Sequence, residues 1–252
     1  MLVKRFVIIF ISLFVLFIAL NLLFPLPDKI SYSVIVRDAN GEVVNAYLTP
    51  DDKWRMNTEL NEISPLLRKI IIAKEDKYFY SHSGINPFAV GRAAFNNILH
   101  MKRTSGASTI TMQVARALEP KSRTVWAKMV QMFRAFQLEW KYNKDEILQL
   151  YLNLVPYGSN IEGVKAASLL YFNKAPDHLS LAEITALSII PNRPSSLVIG
   201  KNNEMVVKER NRWLRKFAAD GVFTSQEIKD AEAEPLAAYR RTVPHFIPHL
   251  AY

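Results

Sequence analysis

Glu75 and Asp76 stand side by side at the end of an apolar run, Ile70-Ile71-Ile72-Ala73. Tyr78, Phe79 and Tyr80 follow, then His82 and Gly84. A carboxylate in apolar surroundings, beside a like charge, suits general-base chemistry on a weakly acidic hydroxyl. The same residue types also fit a solvated Glu-Asp pair at a helix end, with the aromatics in the core.

A second stretch, residues 106–116, reads GASTITMQVAR. Small and hydroxyl residues precede a helical pattern there, so Thr109 and the first N–H groups of that helix could face an anion. An ordinary Ser/Thr N-cap gives the same pattern. Gln113 and Arg116 are three apart and share a face. A third stretch, 121–139, carries Lys121, Arg123, Lys128 and Arg134. Lys128 and Gln131 share a face of that helix, and a solvated charged stripe is the plain alternative. Residues 145–164 read as a helix interrupted at Pro156 and Gly158, and residues 188–196 (SIIPNRPSS) as a stiff loop after a buried helix.

In this order and spacing the stretches resemble the glycosyltransferase domain of class A penicillin-binding proteins and of monofunctional peptidoglycan glycosyltransferases, with the 1C type nearest. The family pattern E-D-x-x-F-x-x-H-x-G falls on residues 75–84, G-x-S-T-x-T-x-Q on 106–113, R-K-x-x-E on 127–131, E-I-L-x-x-Y-L-N on 146–153, and a proline-containing loop on 191–195. Two positions depart from it. Ala127 replaces the arginine of the third pattern, and Gln131 replaces its glutamate.

The resemblance implies a mainly α, lysozyme-like fold. It also implies polymerisation of lipid II into glycan strands, with release of polyprenyl diphosphate. Glu75 would be the base on the acceptor hydroxyl. Asp76, Phe79 and His82 would shape that site, and Thr109, Gln113 and Arg116 would bind diphosphate or sugar. Lys128 would neutralise the leaving group, with Gln131 as a neutral hydrogen-bonding partner. Glu146 and Asn153 would be structural. A diphosphate leaves as an anion and needs positive charge more than a proton, so activity is expected to persist without the third-pattern carboxylate. No cofactor is obligatory on this reading, with Mg2+ or another divalent cation as an optional aid. The rival readings are a membrane-anchored glycan hydrolase and a non-catalytic scaffold for other wall-synthesis proteins.

The elements that must position these residues are legible in outline. Residues 6–24 contain no charge and follow Lys4 and Arg5. A run of that length reads as an uncleaved membrane anchor, and the basic tail predicts that the rest of the chain lies outside the cytoplasm. The chain is formally +9. Outside the cytoplasm, nucleic acid is excluded as a partner, which leaves membrane lipids and lipid-linked phosphates.

Residues 25–50 read as a linker and a β-hairpin turning at Asn40-Gly41, expected as the only strand structure. Residues 51–234 read as a helical domain, with helices at 60–74, 88–99, 109–118, 124–142, 144–152, 161–171, 180–190, 204–219 and 224–232. Ser180/Glu183 and Thr224/Glu227 are capping-box candidates. Residues 100–107 (HMKRTSGA) fit either a surface turn or an apolar flap with a basic rim. Residues 235–252 read as a linker, either towards a transpeptidase domain outside this sequence or at the end of a monofunctional enzyme. The sequence contains no cysteine, which excludes disulfides and thiol chemistry.

Overall fold

The structure is a computed structural model that describes residues 2–27, 29–39, 43–99, 108–122 and 124–241. The Asn40-Gly41 turn, the 100–107 segment and residues 242–252 lie outside the described residues.

The first helix, α1 (Leu2–Leu23), has no internal charge beyond its first turn. From Val3 to Leu23 it is long and apolar enough to cross a membrane, and none of its apolar window is buried in the protein. Its far end is held by a later helix, α5 (Val125–Lys141). Phe14 and Phe17 pack on Trp140 at ring distances of 6.0 and 6.1 Å, and Phe17 also meets Phe133. Gln137 donates to Asn21 Oδ1 at 2.7 Å and to the Phe24 carbonyl at 2.9 Å. Arg134 donates to the carbonyls of Phe24 and Pro25 at 2.7 and 3.0 Å. Helix ends leave carbonyls without intrahelical partners. Here a neighbouring helix supplies donors where α1 stops.

β1 (Val34–Arg37) and β2 (Val43–Tyr47) form the expected antiparallel pair, Val34 opposite Tyr47 and Val36 opposite Asn45. They are not the only strands. β3 (Trp54–Arg55) pairs in parallel with β4 (Ile161–Glu162), across more than a hundred residues. Arg55 locks this pairing. Its Nε and Nη2 donate to Glu162 at 2.9 and 2.6 Å, its Nη1 to the Ser31 carbonyl at 2.7 Å, and its Nη2 also to Asp51. The strand displaces the start of the helix expected from residue 161, so α7 spans only Val164–Ala167 and runs into a wider turn at Ser168–Phe172. Gly163 makes the switch. Its φ is +81°, and a Cβ there would lie 2.6 Å from the Asn153 carbonyl oxygen.

The remaining helices follow the apolar periodicity. α2 (Pro65–Glu75) starts with Pro65 in its first turn, and the Ser64 hydroxyl accepts from the Leu67 N–H. It buries Leu67, Ile70 and Ile71. α3 is Pro87–Leu99, α4 is Ile110–Leu118 and α6 is Lys144–Leu154. α8 (Leu181–Ile189) is buried along its length, and α9 (Asn203–Ala219) and α10 (Ser225–Ala233) complete the domain. Both expected capping boxes form, as does a third at Asn143/Glu146. α4 lies between α5 and α6, while α2 rests on α8 and α8 on α9. The core therefore sits under the ends of α2 and α4, where the polar residues gather.

Candidate active site

Glu75 is the last residue of α2, and its side chain is 9% exposed. Each of its oxygens has donors. Oε2 accepts from Gln113 Nε2 of α4 at 3.0 Å. Oε1 is paired with the ammonium of Lys74, whose side chain is fully buried. With its amide turned so that both ends meet complementary groups, Asn192 donates to Glu75 Oε1 at 3.2 Å and accepts from Lys74 Nζ at 2.8 Å. Tyr151 and Tyr157 lie behind the carboxylate, both fully buried and with unpaired hydroxyls among the described residues. Burial, and then the negative charge of Glu75, push both hydroxyls well above the ordinary tyrosine value.

Asp76 turns the other way. It is buried, caps the end of α2, and takes His82 Nε2 on both oxygens at 3.0 Å. A carboxylate can only accept, so the His82 proton on this bond sits on Nε2. Asp76 Oδ2 also accepts the N–H of Ile110, the first residue of α4, at 3.1 Å. Thr109 completes that junction. Its hydroxyl accepts from the Met112 N–H at 3.1 Å and donates to the Gly84 carbonyl at 2.6 Å. The N–H groups expected to face an anion are in part satisfied from within, by an acidic side chain where the helix dipole favours one. Thr109 is 2% exposed, and its hydroxyl is spent on capping α4 and on the Gly84 carbonyl.

Phe79 is buried beneath this corner, with Lys144 4.6 Å from its ring centroid. Lys144 also donates to the His82 carbonyl and to Glu139 Oε1, and Glu139 accepts from Thr111 as well. Asn153 sits behind, clamping Thr58 through both backbone groups at 2.9 Å each.

Arg116 lies one turn beyond Gln113 on α4 and is exposed. Together with Gln113, Tyr151 and Pro156 it lines a cavity of about 60 Å³. On α5, Lys128 donates to the Ser108 hydroxyl at 2.6 Å, just ahead of α4. Gln131 follows one turn later, half-buried, and Ala127 is buried. The structure thus joins Glu75 directly to Gln113 and Asp76 to His82, and places Thr109 and Phe79 in the same corner. Arg116 and Lys128 lie on the two helices that leave it.

The partners that the sequence did not reveal are Lys74, Asn192, Tyr151 and Glu139. Among the described residues no three His, Asp or Glu side chains are grouped to hold a metal ion.

Residues 40–218 match the family model described as Transglycosylase. Penicillin-binding protein 1C of Escherichia coli (strain K12) is 36% identical over 239 residues, covering 93% of this chain and 31% of that protein. Penicillin-binding protein 1A of the same organism is 35% identical over 205 residues, covering 81% and 24%. A crystal structure of penicillin-binding protein 1A from Haemophilus influenzae superposes with a TM-score of 0.49 at 18% identity, covering 85% of this chain and 22% of that one. The chain spans less than a third of the length of these relatives.

Proposed function

Because the chain belongs to the transglycosylase family, we propose that it is a peptidoglycan glycosyltransferase of bacterial cell-wall synthesis. Its substrates are lipid II and the growing glycan strand, itself carried on lipid diphosphate. The observation that carries the reading is Glu75, a nearly buried carboxylate fixed by Gln113 at the end of α2. A base held in one position suits an alcohol nucleophile, which must lose its proton as it attacks.

Glu75 takes the proton of the acceptor sugar 4-hydroxyl. The hydroxyl oxygen bonds to the anomeric carbon of the donor strand. The bond from that carbon to the lipid diphosphate breaks, and the diphosphate leaves with the electron pair. Arg116 and Lys128, from α4 and α5, neutralise the departing charge, while Gln131 offers a neutral amide beside Lys128. Asp76, His82, Phe79 and Thr109 hold the corner in shape. On this reading α1 anchors the protein in the cell membrane as a single pass, with the remaining domain outside the cytoplasm among membrane lipids.

The test is polymerisation of lipid-linked disaccharide-peptide by the full chain in detergent, with and without magnesium, beside Glu75→Gln. Polymer from the wild type alone supports the assignment. Muropeptide release from purified sacculi would favour the hydrolase instead, and precursor binding without turnover the scaffold.

A further inference from the structure

We propose that Lys74 is a positioning residue for Glu75. Together with Asn192 it occupies Oε1 and leaves Oε2 as the oxygen that receives the acceptor proton. This rests on the reading of Glu75 as the base.

Lys74 occupies the penultimate position of α2, and its side chain has no exposure. A buried ammonium is costly unless a counter-charge and further acceptors meet it. Among the described residues its partners are few and all local to the site. They are the Glu75 carboxylate, the Asn192 oxygen at 2.8 Å and the face of Trp213 at 5.1 Å. A lysine kept only for packing would be better replaced by an apolar residue of the same length. This one instead spends its charge on a single carboxylate oxygen.

A carboxylate offers about four acceptor positions, two on each oxygen. Among the described residues, Lys74 and Asn192 take two on Oε1, and Gln113 takes one on Oε2. The remaining position is on Oε2, the side towards α4 and its Gln113. The Lys74 cation also ties Glu75 to the loop of Asn192 and to α9 through Trp213. The carboxylate is thereby fixed from behind while its other oxygen stays available.

The experiment uses the full chain with four forms: wild type, Lys74→Met, Glu75→Gln and the double variant. Methionine keeps the unbranched length without the charge. In glycan polymerisation, Lys74→Met is expected to lose about tenfold or more in kcat, with KM for the precursor within about twofold, as for a misplaced catalytic group. In the Glu75→Gln background the same change is expected to cost less than about twofold, because residues acting as one unit are non-additive. A simple structural role would multiply the two losses and overturn the assignment, as would a Lys74→Met enzyme with more than half of wild-type kcat.

Should Lys74→Met fail to fold, the double variant removes both charges of the pair and retains the comparison with Glu75→Gln. A second readout needs no turnover: 15N NMR of the lysine ammonium groups. A slowly exchanging Lys74 signal that shifts in Glu75→Gln supports the pairing, and an unchanged spectrum overturns it. Wild-type inactivity with that shift intact would sink the base assignment while sparing the Lys74–Glu75 pair.

Discussion

His82 Nε2 lies 3.0 Å from both oxygens of Asp76, and one of those oxygens also receives the N–H that begins α4. One carboxylate therefore closes the end of α2, the loop after Phe79 and the start of α4. It leaves the neighbouring Glu75 as the acid of the pair that meets Gln113.

Replacing Asp76 with Asn tests this division of labour. The variant keeps the shape but loses the charge and one acceptor, with an expected cost of about 1–3 kcal/mol for a buried charge-assisted hydrogen bond. Thermal or denaturant unfolding of the full chain measures it. An unchanged midpoint would show that the corner does not depend on the Asp76 charge.

Replacing Glu75 with Gln removes a proton acceptor and keeps the Gln113 side within hydrogen-bonding reach. Polymerisation should fall at least ~10²-fold, the lower end for a general base. Near-normal strand synthesis by this variant would end the assignment of Glu75.

Gln131 stands one turn from Lys128, where the family pattern has a glutamate. Restoring that carboxylate with Gln131→Glu should raise the rate by less than about tenfold, below the usual contribution of a general acid or base. A rise of several hundredfold would mean that the carboxylate itself is a missing catalytic group.

Gly84 has φ +80°, and a Cβ there would lie 3.0 Å from Glu139 Cγ and 3.2 Å from the Ala135 carbonyl oxygen. Gly84→Ala should cost about 1–3 kcal/mol from backbone strain alone. Because Thr109 donates to the Gly84 carbonyl, the loss should appear in polymerisation as well as in melting. Wild-type melting would contradict the tight packing of this loop on α5.

Tyr80 donates to Asp145 Oδ1 at 2.9 Å. Desolvation, then that bond and the Asp145 charge, push its hydroxyl up to about 12. The neutral phenol is favoured by the fold, so this contribution is complete below pH ~10, the ordinary tyrosine value. It is lost as pH rises from there through the folded value. Tyr80→Phe should show a smaller alkaline loss of stability than the wild type over that window, measured by denaturant unfolding.

The long elements were legible because their signals are local. The charge-free run of α1, the apolar spacing of α2 and the Ser180/Glu183 and Thr224/Glu227 caps lie within a few residues of one another. The β3–β4 pair was not legible, since a two-residue strand has no period and its partner lies over a hundred positions away. In the site, Glu75 and Gln113 stood out separately, but their bond joins positions 38 apart. Lys74 gave no signal at all. A lysine beside a glutamate at a helix end reads as solvent-facing, and only the packing of α9 and the Asn192 loop buries it. Thr109 fitted either an anion site or an N-cap in the sequence, and its hydroxyl serves as the cap because the Gly84 carbonyl, 25 positions away, comes within reach.

The clasp of Arg134 and Gln137 on the Phe24 and Pro25 carbonyls, just past α1, makes α1 and α5 parts of one lever. With α1 read as the membrane span, any tilt it adopts to match bilayer thickness is delivered to the helix that carries Lys128 and Gln131. On the proposed reading, lipid chain length then acts on the height of Lys128 and Gln131 above the membrane, and the bilayer becomes a setting of the site as well as its support.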